Sequence, residues 1–519
     1  MLSIPLAQTG LGATDYTVVL VYMLIVLGLG AWFSRDTGDT ENYLLGGRGM
    51  AWWVIGISYI ASLLSTVSMV GAPGEGYKNG LTAALWPALG LLFSLGFFFL
   101  FIRFYFQSKT FTPFEYLERR FGVESRAVAA AVYCTARGLY LATVLFAAAK
   151  VFEGTSHWSI PWTIVVVGSV GVIYTTLGGM RAVVWTDFVQ FLVLVGGIGI
   201  VLVKVTAAVP GGVAEVLSYA SEHDHLFPDF HNPSFFTLNP YVRLTLWAIL
   251  FRAVGDHLFY KSADQILIQR MLATKGYWQA FRSVLMGSLL GPLVLFALYF
   301  VGLCMFRFYA EYPAEARPPA DLALFRFITT ELPPPVPGLI VAAMLAAIMS
   351  TLDSGINALA TVVTKDFYLR FFRPDADETS QVQFSRIMTV LIGAVTIVIA
   401  CLIAALAASV RGTVLESSGV WMSLLVVLAP VFLIGVTSCR ARQWHVLAAT
   451  LVGVATTALM TVWYYQVKQS GREAGFFMVA VLPFLATLVT GYGLSRLSKR
   501  DPTGLVNLTL WTLRRRDSE

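Results

Sequence analysis

Charged residues are scarce in this chain. Of 519 residues, 13% are Asp, Glu, Lys or Arg, against about 25% in soluble domains. A water-exposed globular surface of ordinary make-up is thereby excluded. Only four cysteines occur. Cys134, Cys304 and Cys401 fall within apolar runs and Cys439 at the end of one, so neither a disulfide framework nor a thiolate metal site is indicated. No GxxxxGK[ST] segment is present, which argues against a phosphate-cradling loop and ATP-driven work. No His, Cys and carboxylate set within the apolar runs could serve as a catalytic group, which argues against an enzyme. No basic stretch precedes the first apolar run, so that run reads as a retained span rather than a cleaved signal.

Apolar runs fill the space that charge leaves. Hydrophobic residues make up 57% of the chain and the mean hydropathy is +0.71. Leu81 to Ile102 alone spans 22 uncharged residues, enough to cross a bilayer. Thirteen spans are expected, near 14–34, 50–77, 81–106, 126–151, 159–179, 184–206, 241–262, 280–307, 337–367, 386–409, 413–437, 443–466 and 475–495. Alternate loops carry the basic residues: Arg35 and Arg48; Arg103, Lys109, Arg119 and Arg120; Arg270, Lys275 and Arg282; Lys365, Arg370, Arg373 and Arg386; Arg440 and Arg442; then the tail from Arg496 to Arg516. Cytoplasmic loops hold the excess of Lys and Arg, so the N-terminus is expected outside and the C-terminus inside a cell (plasma or inner) membrane. The same rule accounts for the net charge of +6 without a nucleic-acid partner. The longest outer loop, near 207–240, carries Glu222, His223, Asp224, His225, Asp229 and His231, whose spacing reads as a solvated loop rather than a closed metal site.

The most informative span is Ala342 to Thr364. At 100° per residue, Ser350, Thr351, Ser354, Asn357 and Thr361 share a sector about 120° wide, and Asp353 lies about 40° beyond its edge. Small polar residues often line helix–helix seams. A carboxylate in hydrocarbon costs about 2.5–3.5 kcal/mol on insertion scales, so it should face protein, water or an ion. An ion site is the reading preferred for this stripe.

Four other spans carry polar residues at depth. Over 52–77, Ser62, Ser65, Thr66 and Ser68 cluster ahead of Gly71, Pro73, Gly74 and Gly76. Local hydroxyl bonds and weak helix formers favour a break near Ala61–Thr66, exposing carbonyls to a cation; a kinked continuous helix is the alternative. The fourth span contains Arg137 and Tyr140, with Asp187 a candidate partner for Arg137. After Gly178-Gly179, Asp187 and Gln190 share one face; Asp187 is either an interfacial partner of Arg181 or a cation ligand or proton-labile group. The seventh span, 244–270, carries Arg252, Asp256, His257 and Tyr260, with Gly255 a candidate break point. Arg252 and Asp256 either pair on one helix face or line a cavity. Segment 111–122 reads as an amphipathic cytoplasmic surface helix. Two polar, Gly-interrupted spans five apart point to an inverted-repeat transporter.

The stretches IASLLSTVSMVGAPGEGY, FTPFEYLERRFG, TTLGGMRAVVWTDFVQF, DQILIQR and AAIMSTLDSGINALATVVTKDFY resemble the sodium:solute symporter family, whose carriers take sugars, proline, sialate, iodide, monocarboxylates and multivitamins. The resemblance covers about residues 14–495. It implies an all-α polytopic membrane protein with a LeuT-like 5+5 inverted-repeat core. Residues 1–34 would be a leading helix, 50–206 and 241–437 the two repeats, 443–495 two trailing helices and 496–519 a cytoplasmic basic tail. By motif it implies a sodium (Na+) site made by the carbonyls of Ala61, Leu64 and Ala347 and the hydroxyls of Ser350 and Thr351. Some relatives have a second cation site, which would map to Asp187, Asp353 and Ser354, with Asp353 standing where a hydroxyl is more usual. The Gln, Glu and Lys that bind sugar hydroxyls in the sugar carriers correspond here to Ser68, Pro87 and Gly291, so a hexose pocket is not implied. Tyr260 does match the tyrosine that closes that pocket. Expected solute-binding residues are Ser62, Ser65, Ser68, Tyr140, Arg252, Asp256, His257 and Tyr260. The function expected is sodium-coupled import of a small solute, with a lean to a small organic anion such as a monocarboxylate. A proton-coupled carrier of the same fold, or a sugar or amino-acid substrate, is the alternative.

Overall fold

The computed structural model describes residues 11–34, 38–107, 110–155, 158–242, 244–406, 414–470, 478–499 and 504–512. Arg35, Lys109 and, from the expected basic tail, residues 500–503 and 513–519 lie outside the described residues, as do residues 1–10. The described elements are helices. Ten of these helices are long and apolar enough to cross a bilayer, and the bent pair Trp52–Leu63 and Ser68–Asn79 adds an eleventh.

The expectation of thirteen spans differs from this tally for two physical reasons. First, the segments expected at 159–179 and 184–206 form one element, Ile160–Ala208, which turns at Gly179. Gln190 Nε2 lies 3.5 Å from Tyr174 Oη, whereas sixteen residues of straight helix would separate them by about 24 Å. The element therefore folds back on itself. Gly179 makes the turn at φ 56° and ψ −152°, a region essentially confined to glycine, with the Tyr43 carbonyl 2.5 Å from where a Cβ would sit. Second, the seventh expected span is not one helix. It runs as Leu246–Val254, a π-helical turn Gly255–Tyr260 and the short Lys261–Ala263.

The anticipated break at Gly255 is also corrected. Gly255 keeps helical dihedrals, which glycine adopts as readily as any other. The chain instead leaves the helix at Asp264, whose carboxylate accepts from Ile266 N at 3.1 Å and caps the next helix, Gln265–Leu272. A short polar side chain at this position satisfies an orphan backbone donor, so the break falls there.

The helix Val336–Val362 sits at the centre. Every residue from Ile340 to Val362 is buried. Both arms of the folded-back element lie along it: Tyr174 reaches Met349 and Asp353 from one arm, and Thr186 reaches Asp353 from the other. A helix enclosed on all sides can afford polar groups only where they meet one another or a ligand. Away from it, segment 111–122 forms the helix Pro113–Phe121. Arg120 donates to the carbonyls of Gly435 at 3.1 Å, Ala441 at 3.3 Å and Ser438, and Tyr116 donates to Leu508 O at 2.8 Å.

Candidate cation and solute site

The second expected span breaks where the hydroxyl cluster lies. Helix Trp52–Leu63 ends, Leu64 and Ser65 take extended dihedrals, and helix Thr66–Asn79 begins. The two halves diverge by 64°. Ser62 donates to Tyr59 O at 3.0 Å, a local bond of the kind that competes with continued helix. Beyond the break, Gly76 and Gly302 let this span and the helix Tyr277–Tyr309 touch backbone to backbone: an added Cβ at either would fall 2.0 Å from a carbonyl oxygen across the seam, Tyr299 O or Pro73 O.

The broken end meets the polar stripe of the central helix. Ser350 Oγ lies 3.1 Å from Ala61 O and 3.2 Å from Ala347 O, and Thr351 Oγ1 lies 3.0 Å from Ala347 O. Ala61, Leu64, Ala347, Ser350 and Thr351 are all at most 2% exposed. Oxygens about 3.1 Å apart subtend about 80° at a cation roughly 2.4 Å from each, within the hard-cation range. The set offers oxygen alone and no formal charge, which fits a small monovalent ion better than a softer or more highly charged one.

Asp187, Asp353 and Ser354 are also brought together, around a residue the sequence had placed in a cytoplasmic loop. Arg270, 1% exposed, donates to Asp187 Oδ2 at 2.7 Å, to Ser58 Oγ at 2.8 Å, to Ile266 O at 2.9 Å and to Ser354 Oγ. Ser58 donates to Asp187 Oδ2 at 2.5 Å. Asp353 accepts from Tyr174 Oη at 2.7 Å and from the amide and hydroxyl of Ser354 at 2.5 and 3.1 Å. A guanidinium therefore already stands between Asp187 and Ser354. Neither expected partner of Asp187 is the observed one: not Arg181, not Arg137. The signal that could have found Arg270 is its own motif, since an Arg within the apolar run ILIQRML needs a buried partner.

Arg137 pairs instead with Asp264, at 2.5 Å, and also donates to Tyr260 Oη. Tyr133 donates to the same carboxylate at 3.3 Å. Tyr140 faces the Arg137 guanidinium at 5.3 Å and lies beside Ser65. Ser62, Ser65, Tyr140 and Tyr260 thus line one region next to the break, with Ser68 half-buried on the helix that follows. Arg252 and Asp256 are set apart. They pair at 3.5 Å with side chains 54% and 44% exposed, and Arg252 stacks on Trp86 at 4.3 Å. The self-satisfied pair is what the structure contains. His257 also lies against Trp86, at 5.5 Å.

The sodium:solute symporter family matches residues 43–453. A sodium/glucose cotransporter of Vibrio parahaemolyticus is 29% identical over 429 residues, 76% of this chain and 76% of its own. A sodium-coupled monocarboxylate transporter 2 of Danio rerio is 30% identical over 418 residues, 78% of this chain and 64% of its own. The solved structure of a Na+-coupled sialic acid symporter in a substrate-bound outward-open state superposes with a TM-score of 0.81 at 22% identity, over 94% of this chain and 100% of that one. The inverted-repeat helical fold is thus shared with sodium-coupled carriers. A broken helix facing a hydroxyl-bearing one, and a family match over most of the length, lead to one conclusion: this multi-pass membrane protein belongs to the sodium:solute symporter family.

Proposed function

We propose that this protein imports a small organic anion, such as a monocarboxylate, with sodium across the cell membrane by alternating access. The observation that carries the reading is the 3.1 Å approach of Ser350 Oγ to Ala61 O, which joins two elements 289 residues apart through oxygens alone. Sodium held by Ala61, Leu64, Ala347, Ser350 and Thr351 would bridge the broken helix and the central helix, and so favour one of the two access states. The two repeats are 50–206 and 241–437, with the N-terminus outside and the C-terminus inside. One sodium per cycle is favoured, because Arg270 supplies the cation between Asp187 and Ser354. An ion descending 100 mV releases about 2.3 kcal/mol, and a tenfold gradient adds about 1.4. Together these support roughly 500-fold accumulation of a solute that carries no net charge with it. An anion crossing with one sodium is electroneutral and draws on the concentration gradient alone.

The test is uptake into proteoliposomes containing the full chain. Labelled lactate, glucose and proline are offered under an inward sodium gradient, and again with choline replacing sodium under an inward proton gradient. Sodium-driven lactate uptake is expected. Uptake driven equally by protons without sodium would overturn the coupling ion, and glucose or proline uptake without lactate would overturn the solute class.

A further inference from the structure

The helix Leu428–Thr437 ends on the carbonyls of residues 434–437, and the last four carbonyls of a helix have no partner within it. All four are satisfied here, from three directions. Ser438 N donates to Ile434 O at 2.9 Å, and Arg120 Nε, from the loop helix Pro113–Phe121, donates to Gly435 O at 3.1 Å. The other two bonds come from the C-terminal segment: Leu510 N donates to Val436 O at 2.8 Å and Trp511 Nε1 to Thr437 O at 2.5 Å. Tyr116 holds the same segment at Leu508 O, and Leu508 and Leu510 pack on the main core. Thr509 is 0% exposed and covers the Cys439 thiol at 3.7 Å. Residues 505–512 thus form a strap seated on the end of a spanning helix. Two more helix ends gather at the same level, since Tyr492 Oη bonds Thr437 Oγ1 and His445 Nε2 lies 3.3 Å from Ser498 Oγ. The outer face of the strap is apolar: the Trp511 ring is 67% exposed although its N–H is engaged, and Val506 is exposed with it. Trp444 and Leu497, at the neighbouring helix ends, are exposed too.

The charge around the strap is almost all of one sign. Segments 438–445 and 495–512 hold Arg440, Arg442, Arg496, Lys499 and Arg500 against a single acid, Asp501, and Arg440, Arg442, Arg496 and Lys499 are exposed. A tryptophan with its N–H satisfied and its ring free, among basic residues at the end of a span, suits the boundary between headgroups and hydrocarbon. Each basic residue close to an anionic membrane surface adds roughly fivefold in affinity. We propose that the strap and the basic residues around it form a contact surface for the headgroups of anionic phospholipid, and that lipid bound there keeps the strap seated. The composition of that leaflet then sets how firmly the end of helix Leu428–Thr437, which packs against Lys261–Ala263, is held. Only the choice of leaflet, the cytoplasmic one, comes from the proposed orientation.

The test reads the Cys439 thiol, which the strap covers. The full chain is placed in nanodiscs of phosphatidylcholine, or of equal parts phosphatidylcholine and phosphatidylglycerol. Alkylation of Cys439 by a water-soluble maleimide is followed by peptide mass mapping. Phosphatidylglycerol is expected to slow wild-type labelling at least about fivefold, and the slowing should fade in high salt. It should be lost in Arg440→Gln/Arg442→Gln/Arg496→Gln/Lys499→Gln. It should persist in Arg119→Gln/Lys275→Gln/Arg282→Gln/Arg373→Gln, which removes the same charge from exposed positions elsewhere. Leu510→Pro, lacking the N–H that meets Val436, should label fast in both lipids. Equal wild-type rates in the two lipids would overturn the proposal. So would a slowing that survives in the first quadruple variant, the mark of surface acidity at an anionic bilayer, or one lost equally in the second, the mark of net charge alone. Labelling of Leu510→Pro no faster than wild type would overturn it as well. Should the first variant not fold, the wild-type rates in the two lipids still decide. Sodium-driven uptake plays no part in this readout, so failure of the symporter reading is distinguishable from failure of the lipid surface.

Discussion

Removing one member of the Asp187–Arg270 pair tests how the polar groups around the central helix are held. Both side chains are at most 1% exposed, and Arg270 is satisfied by four acceptors. Asp187→Asn or Arg270→Met leaves a buried charge without its partner, a loss of about 3–5 kcal/mol. An unfolding entropy near 2.1 cal/mol/K per residue, over 519 residues, gives roughly 1.1 kcal/mol/K, so Tm should fall by about 3–5 °C in each single variant. The double variant Asp187→Asn/Arg270→Met removes both charges and should fall by less than the sum, with a coupling of about 2–3 kcal/mol. Tryptophan-fluorescence melts in detergent measure all four proteins. A further consequence separates this account from simple packing. Arg270→Met alone frees Asp187 and Ser354 for another cation, so raising sodium should restore part of its Tm, more than in wild type. A Tm for Asp187→Asn within 1 °C of wild type, or strictly additive losses in the double variant, would refute the reasoning.

The turn at Gly179 should tolerate no side chain. Gly179→Ala combines a glycine-only conformation, about 1–3 kcal/mol, with a Cβ 2.5 Å from Tyr43 O, and should abolish the monodisperse peak in size-exclusion chromatography. Gly196→Ala in the same element meets nothing within 4 Å and should run as wild type. At the loop helix Pro113–Phe121, burial raises the Glu118 carboxyl, but its bonds to Arg126 at 2.6 Å and Arg370 at 2.8 Å outweigh this and hold it below its usual 4.5. A lowered folded pKa contributes stability above the unfolded value and loses it as pH falls through the folded one. Tm should therefore drop on acidification below about pH 4.5, and this component should be missing in Glu118→Gln.

Local chemistry was legible where residues close in sequence determine it. The hydroxyls from Ser62 to Ser68 foretold the break at Leu64 and Ser65, and helical periodicity put Ser350 and Thr351 on one face. The turn at Gly178-Gly179 was marked by its glycines. Pairing across the fold was not legible. Arg137 lies 127 residues from Asp264, and Arg270 lies 83 from Asp187; any buried acid would have satisfied the same electrostatic argument. Arg270 also looked like an ordinary loop charge, because charge counts alone do not distinguish the last turn of a span from the loop after it.

The central claim is that sodium joins the broken helix to the hydroxyl face of the central one. Binding of 22Na+ to the purified wild type and to Ser350→Ala/Thr351→Ala, both shown to be folded by their melts, tests it most directly. Saturable binding in the wild type and its loss in the double variant are predicted; undiminished binding in the double variant would contradict the account.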